Sequence, residues 1–298
     1  LTPVVPITAA AFSAEGSSVL LGSQRGIQVR TWPLADVPGD DAFSGSELWH
    51  VHDLKFSPDG RWLLAAGGVP AESGMIEVWR WPERRCEQRI ASHADLVYQV
   101  AWSPDGATFV TAAADGRCRI CDATTGRVRA EFTGHSGAVT TVTFVDDRTI
   151  ASGDVQNVIR LWNPADGSTR RTLDQHLKPV TDLALRPTLV SESPRGPLML
   201  ASASEDRTVR LWQPVIGRLV RFTRLPAVPR TIVWSADGRQ LAAGCDDGVV
   251  RVLDPDTLQI IREQQLAAGR VLELTLHPLS GELLAAGTTG VTVAGWHR

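Results

Sequence analysis

The sequence predicts an all-β fold: a seven-bladed β-propeller of four-stranded antiparallel blades, the last blade lacking its own outer strand. Three observations predict it. A bulky residue recurs as Phe12, Phe56, Trp102, Phe144, Leu185, Trp234 and Leu276, at intervals of 44, 46, 42, 41, 49 and 42 residues. Two residues before each stands another apolar side chain: Ala10, Leu54, Val100, Val142, Leu183, Ile232 and Leu274. No long stretch carries the 3.6-residue period that a helical repeat would need. Self-similarity of this length means a ring or stack of identical pieces, and closing a ring protects sheet edges that a flat stack exposes.

Each repeat reads as four strands in order. The first alternates with period two and faces a packed layer. Its intervening residues, Ala11, Lys55, Ala101, Thr143, Ala184, Val233 and Thr275, are mostly small, as a second packed face requires. Lys55 is the exception, and its ammonium is expected to snorkel or find a partner. Turns follow at Ser13–Gly16, Ser57–Gly60, Ser103–Gly106 and Ser235–Gly238. Where Pro and Gly occupy the second and fourth places, they specify a type I turn between antiparallel strands. The second strand runs from bulky to tiny, as in Leu63-Leu64-Ala65-Ala66-Gly67. A third ends on a large residue, as in Ile76–Trp79, Ile159–Trp162 and Val209–Trp212, and a fourth follows, such as Val128–Phe132.

The units fall at 1–46, 47–90, 91–132, 133–173, 174–222, 223–266 and 267–298, one domain over the whole sequence. A net charge of −3 leaves no electrostatic footprint for nucleic acid or an anionic membrane. The Arg84-Arg85 and Arg170-Arg171 pairs read as solvated strand ends. No apolar run approaches the roughly twenty residues that span a bilayer. The first residue is Leu1, so a piece cut from a longer chain, or a processed product, is expected, with a cytoplasmic setting as the working expectation.

No chemistry is written into the motifs. Cys118 and Cys121 are three apart on a strand, so their sulfurs face opposite sides and read as core fillers, as do Cys86 and Cys245. His50 and His52 share a face two residues apart, and read as a rim pair without an ion. Asp40-Asp41, Asp146-Asp147 and Asp246-Asp247 read as turn residues. No phosphate loop, nucleophile elbow or zinc-helix motif is present, so no catalytic residue, metal or cofactor is assigned.

The Gly134-His135 pair, the Ser-Pro-Asp-Gly turns and the Leu-Trp strand endings resemble WD40 repeats over essentially the whole chain. That resemblance implies blades locked by hydrogen-bonded His, Ser or Thr, Asp and Trp. The fifth unit has all four in His176, Ser202 (or Ser204), Asp206 and Trp212. The fourth has His135, Ser152 and Trp162, with Gln156 where Asp is expected. The third has His93, Thr111 and Asp115, with Cys121 in place of Trp. The sixth keeps Asp247 but has Leu225 for His and Leu253 for Trp. In the second, Glu47 falls on the His place and Trp79 on the Trp place, while the first and last units retain Trp32 and Trp296. In WD40 rings the closing strand comes typically from the N-terminus. Leu1–Val5 can serve, yet it also aligns with Leu225–Pro229 ahead of an inner strand. The expected closing strand therefore lies upstream, or the last blade is short of one.

Loops on one face around the central opening vary freely between units. They place His50, His52, Leu96, Tyr98, Pro179, Glu205, Arg230, Asp246 and Arg270 on a candidate partner-binding rim. Three insertions add to this picture. Gly67–Gly74, with Val69, Pro70 and Glu72, lengthens a loop on that face. Asp36–Ser46 extends the first inter-blade connection, and Thr188–Pro197 lengthens a turn on the opposite face. The expected function is a non-catalytic protein–protein interaction scaffold, monomeric, binding a protein or peptide through the loop-bearing face. Its wording resembles bacterial WD40 domains tethered to kinase, ATPase or haem-carrying modules, which implies a module of a larger bacterial protein. The alternative is a propeller-type enzyme, or a metal or small-molecule binder, with its site over the central channel.

Overall fold

The computed structural model describes residues 5–34, 41–187, 197–266 and 269–294. Among these there are strands and turns but no helix. Seven antiparallel sheets form, six of four strands and one of three, each with its strands in chain order. The inner strands are Ile7–Phe12, Asp53–Phe56, Val97–Trp102, Val139–Asp146, Val180–Leu185, Pro229–Trp234 and Val271–Leu276. Each lies beside the next, and the last packs against the first, so the sheets close into a seven-bladed ring.

The taper of the second strands follows from crowding near the axis. A Cβ on Gly22 would lie 2.6 Å from Val51, on Gly153 2.6 Å from Val180, and on Gly244 2.5 Å from Val271. Each of these glycines meets the start of the next blade's inner strand. Bulky residues come earlier in the same strands, as Leu63 and Leu64 do before Gly67. Outer strands are largely exposed, as in Arg218–Arg224.

Between blades the contacts repeat. The residue at or just past the end of one blade's outer strand packs on the residue ending the next blade's third strand. Phe43 meets Trp79 with ring centroids 4.4 Å apart, and Phe132 stacks on Trp162 at 4.7 Å. Leu173 packs with Trp212, Leu225 with Leu253 and Leu266 with Ala294. The last and first blades join through Ala10, Phe12, Val19 and Leu21 against Leu284 and Ala286. There His277 Nε2–H also donates to the Gly16 carbonyl at 2.9 Å. Cys118 and Cys121 enter different inter-blade layers, as strand alternation requires. Burial pushes both thiols up to about 12.

Register corrects two sequence readings. Trp79, Trp162 and Trp212 stand opposite Leu63, Ile150 and Leu200. In the first blade the residue at that place, opposite Val19, is Arg30, not Trp32. Trp32 instead lies two residues further on, meeting Phe12 edge-on at 4.8 Å and stacking on His277 at 5.7 Å. It corresponds to Trp81, the second of a pair of tryptophans two residues apart, which is why the eye takes it for the strand ending. In the last blade Ala294 holds that place, opposite Leu283. Trp296, Leu1–Val4 of the expected closing strand, residues 188–196 of Thr188–Pro197 and residues 36–40 of Asp36–Ser46 lie outside the described set.

The second correction concerns Gly67–Gly74, which is mostly paired strand. Gly67, Gly68 and Val69 pair with Met75, Gly74 and Ser73, leaving only residues 70–72 as the turn. The inserted residues therefore stand up as a longer hairpin.

Candidate functional site

Three residues before the recurrent bulky side chains stand Asp53, Gln99, Thr141, Asp182, Thr231 and Glu273. An inner strand's axial edge has no neighbouring strand, so its backbone groups need other partners. These side chains supply them. Val100 N–H donates to Asp53 at 2.9 Å, Val142 N–H to Gln99 Oε1 at 2.7 Å, and Ile232 N–H to Asp182 at 2.8 Å. One residue earlier, Thr8, Thr140 and Thr181 donate to the carbonyls of Val51 (2.5 Å), Val180 (2.6 Å) and Pro229 (2.7 Å). Each contact joins one blade to the next. The period-two reading missed this ring, although its signal, a polar residue at a constant offset, lies in the sequence.

Lys55 finds its partners in the channel, 3.2 Å from Asp53 and 3.5 Å from Glu273. Burial alone would lower its pKa, but Asp53, Glu273 and Asp182 outweigh that and raise it. The Glu273 carboxyl is held above its ordinary range by burial, with Lys55 pulling down and Asp53 and Asp182 pushing up. Above them opens a mouth of about 190 Å³, lined by His52, Tyr98, Thr140, Thr181, Arg230 and Leu272 among others. Small-molecule pockets usually run to about 300–1,000 Å³, so this mouth suits a side chain better than a substrate. Among the described residues no group of His, Cys, Asp or Glu is arranged to hold a metal ion.

The blade locks are visible in detail. In the fifth blade Trp212 Nε1–H donates to Ser202 Oγ at 2.9 Å, and Ser202 Oγ lies 2.7 Å from His176 Nε2. His176 Nδ1 in turn lies 2.9 Å from Asp206. Ser204 is engaged elsewhere, with the Lys178 carbonyl at 2.9 Å. The third blade has His93 between Thr111 at 2.7 Å and Asp115 at 3.0 Å.

In the fourth blade the acid is Asp154, not the place held by Gln156. Its carboxylate lies 2.7 Å from His135 Nδ1, and Ser152 and Trp162 complete the set. Asp154 stands two residues after the serine instead of four, yet its side chain reaches the same point. In the second blade the lock is rebuilt around Glu77, which is fully buried. Glu77 accepts from Trp79 Nε1 at 3.0 Å, Ser46 Oγ at 2.7 Å and Glu47 N–H at 2.8 Å. Glu47 thus joins the lock through its backbone, and its side chain remains exposed. In the sixth blade Asp247 pairs with Arg251 at 2.7 Å, while Leu225 and Leu253 pack together.

The rim residues divide into groups. Arg230 bridges Asp246, through two contacts of 2.9 Å, and Glu205 at 2.8 Å, with exposed Arg270 at 3.9 Å from Asp246. His52 and Tyr98 meet edge-on at 5.4 Å. His50 has a φ of 57°, so no regular strand sets its direction relative to His52. Leu96 is buried and accepts Ala114 N–H, and Pro179 accepts Glu205 N–H. Val69, Pro70 and Glu72 are at the hairpin tip, which Asp95 pins through Ala71 N–H at 2.8 Å. Gly67 and Gly74 serve packing: added Cβ atoms would lie 2.4 Å from the His50 carbonyl and 2.2 Å from that of Asp95. Trp49, 68% exposed, flanks this hairpin, its carbonyl accepting Gly68 N–H at 3.1 Å. Sequence reasoning missed it, although a Trp outside the strand pattern and next to His50 was a usable signal.

The family model "WD domain, G-beta repeat" matches residues 41–80, 167–213 and 226–254. The anaphase-promoting complex subunit 4 WD40 domain model matches residues 69–147. The periodic tryptophan protein 2 homolog of Dictyostelium discoideum is 26% identical over 246 residues, covering 66% of this chain and 26% of that protein. The nuclear distribution protein PAC1 of Arthroderma benhamiae is 30% identical over 178 residues, 58% of this chain and 39% of its own length. WD repeat-containing protein 55 of Bos taurus is 25% identical over 244 residues, 79% of this chain and 60% of its own length. The chain therefore spans between about a quarter and three fifths of these curated relatives. All three are eukaryotic, and the expected bacterial type finds no support among them.

Proposed function

Taking the chain as a propeller of WD40 repeats, which those family models and WD-repeat relatives support, we propose that it is a non-catalytic interaction platform, a monomeric module of a larger protein. WD40 propellers generally bind protein partners. In this reading a protein or peptide docks on the face that carries the second blade's hairpin. The observation that carries it is Trp49, left 68% exposed beside the hairpin tip of Val69, Pro70 and Glu72. Aromatic side chains with a polar edge are favoured anchors, and the half-buried Tyr98 and His52 lie on the same rim. The Arg230–Asp246–Glu205 network adds a fixed pattern of charge that selects partners more than it adds affinity. A site over the channel has in its favour the Lys55–Glu273 cluster and the cavities of about 190 and 290 Å³ beside it, but the blades themselves use that cluster as ties.

The test is a pull-down and crosslinking comparison between the protein and a variant with residues 69–73 shortened to a tight turn, Trp49→Ala and Tyr98→Ala. Capture should fall by about ten-fold or more, with the melting temperature kept within a few degrees. Partner binding that survives all three changes would move the interface elsewhere.

A further inference from the structure

The outer strand of the fifth blade, Arg218–Arg224, carries charge of one sign. Between Arg207 and Ala236 the sequence holds Arg207, Arg210, Arg218, Arg221, Arg224 and Arg230 but neither Asp nor Glu. Arg210 is paired with Asp206 at 3.6 Å, and Arg230 with Asp246 and Glu205. The others are exposed and form no ion pair among the described residues. Outer strands elsewhere are neutralised within their own blade: Arg85 pairs with Glu87, Arg117 and Arg119 with Glu131, and Arg251 with Glu263. Glu131 and Glu263 stand opposite Arg119 and Arg251, whereas in the fifth blade Phe222 stands opposite Arg210. The fourth blade adds to the same surface, since Arg171 Nε donates to the Val215 carbonyl at 2.9 Å.

Among the described residues no strand lies beyond Arg218–Arg224 in its sheet, so its outer N–H and C=O groups are open to an extended chain. Arg221 stands opposite Leu211, which packs toward the sixth blade. Phe222 and Arg224 stand opposite Arg210 and Thr208, on the other face. The arginines therefore straddle the edge instead of lining a plane. Phe222 is 59% exposed, with the Arg210 guanidinium 5.1 Å from its ring centroid, and Val215 and Ile216 are exposed just before the strand. A row of one charge along a free edge repels basic chains and accepts acidic ones.

We propose that this edge docks an extended acidic segment of a partner polypeptide, whose main chain pairs with the strand and whose carboxylates meet Arg218, Arg221 and Arg224. The strand covers about 20 Å, which sets the length of the segment. An apolar side chain of the segment covers Phe222. A flat anionic surface does not reach both faces of one strand, and a nucleic acid brings no backbone amides to pair with the edge. The surface belongs to the outer wall of the fifth blade and not to the second blade's hairpin, so it does not depend on the docking face proposed above.

The probe is a fluorescein-labelled, C-terminally amidated peptide, Thr-Glu-Val-Glu-Glu-Val-Glu-Thr, with a twin carrying Gln for every Glu. Binding is followed by fluorescence anisotropy. The Glu peptide should bind the protein about ten-fold tighter than its twin, and less tightly as salt rises. The triple variant Arg218→Ser, Arg221→Ser, Arg224→Ser should lose that advantage. A second triple variant, Arg61→Ser, Arg148→Ser, Arg239→Ser, removes the same charge elsewhere and should keep it. The bound Glu peptide should also slow amide exchange within Arg218–Arg224. The comparison of the twins on the unmodified protein stands even if a variant folds poorly. Equal binding of the twins, equal losses in the two triple variants, or exchange unchanged in the complex would each overturn the proposal. Tighter binding of an oligothymidylate or of phosphatidylserine vesicles through the same arginines would overturn it too, and assign the edge to phosphate groups.

Discussion

Asp154 and Gln156 stand two residues apart in one hairpin, and only the first touches His135. Asp154 also accepts the N–H groups of Gln156 and Val158 at 2.9 Å each, so its loss orphans three donors. Asp154→Ala should cost about 1–3 kcal/mol, whereas Gln156→Ala should stay within about 0.5 kcal/mol. Urea unfolding of both variants checks this, and equal midpoints would contradict the lock as drawn. At this scale the sequence showed residue types but not reach. His176, Ser202, Asp206 and Trp212 were legible because all four stood at their expected offsets. Asp154 and Glu77 were not, because a carboxylate can reach the same point from a different place in the chain.

Elements were more legible than single contacts. The Ser-Pro-Asp-Gly turns appear as read: Ser57, Ser103 and Ser235 each bond the Asp two residues on. The second blade's hairpin was not read as strand, because glycine carries no alternation signal. Its glycines are there for space. A Cβ on Gly74 would sit 2.2 Å from the Asp95 carbonyl and 2.8 Å from His93 Cβ. Neither neighbour can withdraw cheaply, since one is backbone and the other belongs to the third blade's lock. Gly74→Ala should therefore destabilise by about 1–3 kcal/mol, while Glu72→Ala at the exposed tip should change stability by less than about 0.5 kcal/mol. Thermal melts of the two variants would decide it, and a neutral Gly74→Ala would mean that the two blades are less tightly joined than described.

For the whole molecule, the ring couples local events because every blade is tied to its neighbours. His93 and His176 both have pKa values lowered by burial, against the pull of Asp115 and Asp206. A lowered imidazole stays neutral in the fold while the unfolded chain takes up protons below its ordinary value of about 6.5. Its contribution is fully present above that pH and declines as pH falls toward the folded values. Glu273, raised by burial, acts in the opposite sense as pH falls. The histidine contribution is therefore read as a difference. Between pH 7.5 and 5 the urea midpoint of the unmodified protein should fall further than that of the His93→Asn, His176→Asn double variant. Parallel slopes would remove the histidines from the account.

By itself the sequence determined the count of blades, the order of strands and the direction of side chains along the inner strands. Period-two alternation and recurrence are local properties that survive without knowledge of neighbours. It also anticipated a partner for Lys55 and opposite faces for Cys118 and Cys121. Only the tertiary structure decided which residue ends each third strand, where the carboxylates of the locks come from and that Trp49 stands exposed. It alone shows Arg30 at the seam where the last blade meets the first. Those facts depend on register and on contacts between residues far apart in the chain, and spacing along one strand carries no information about either.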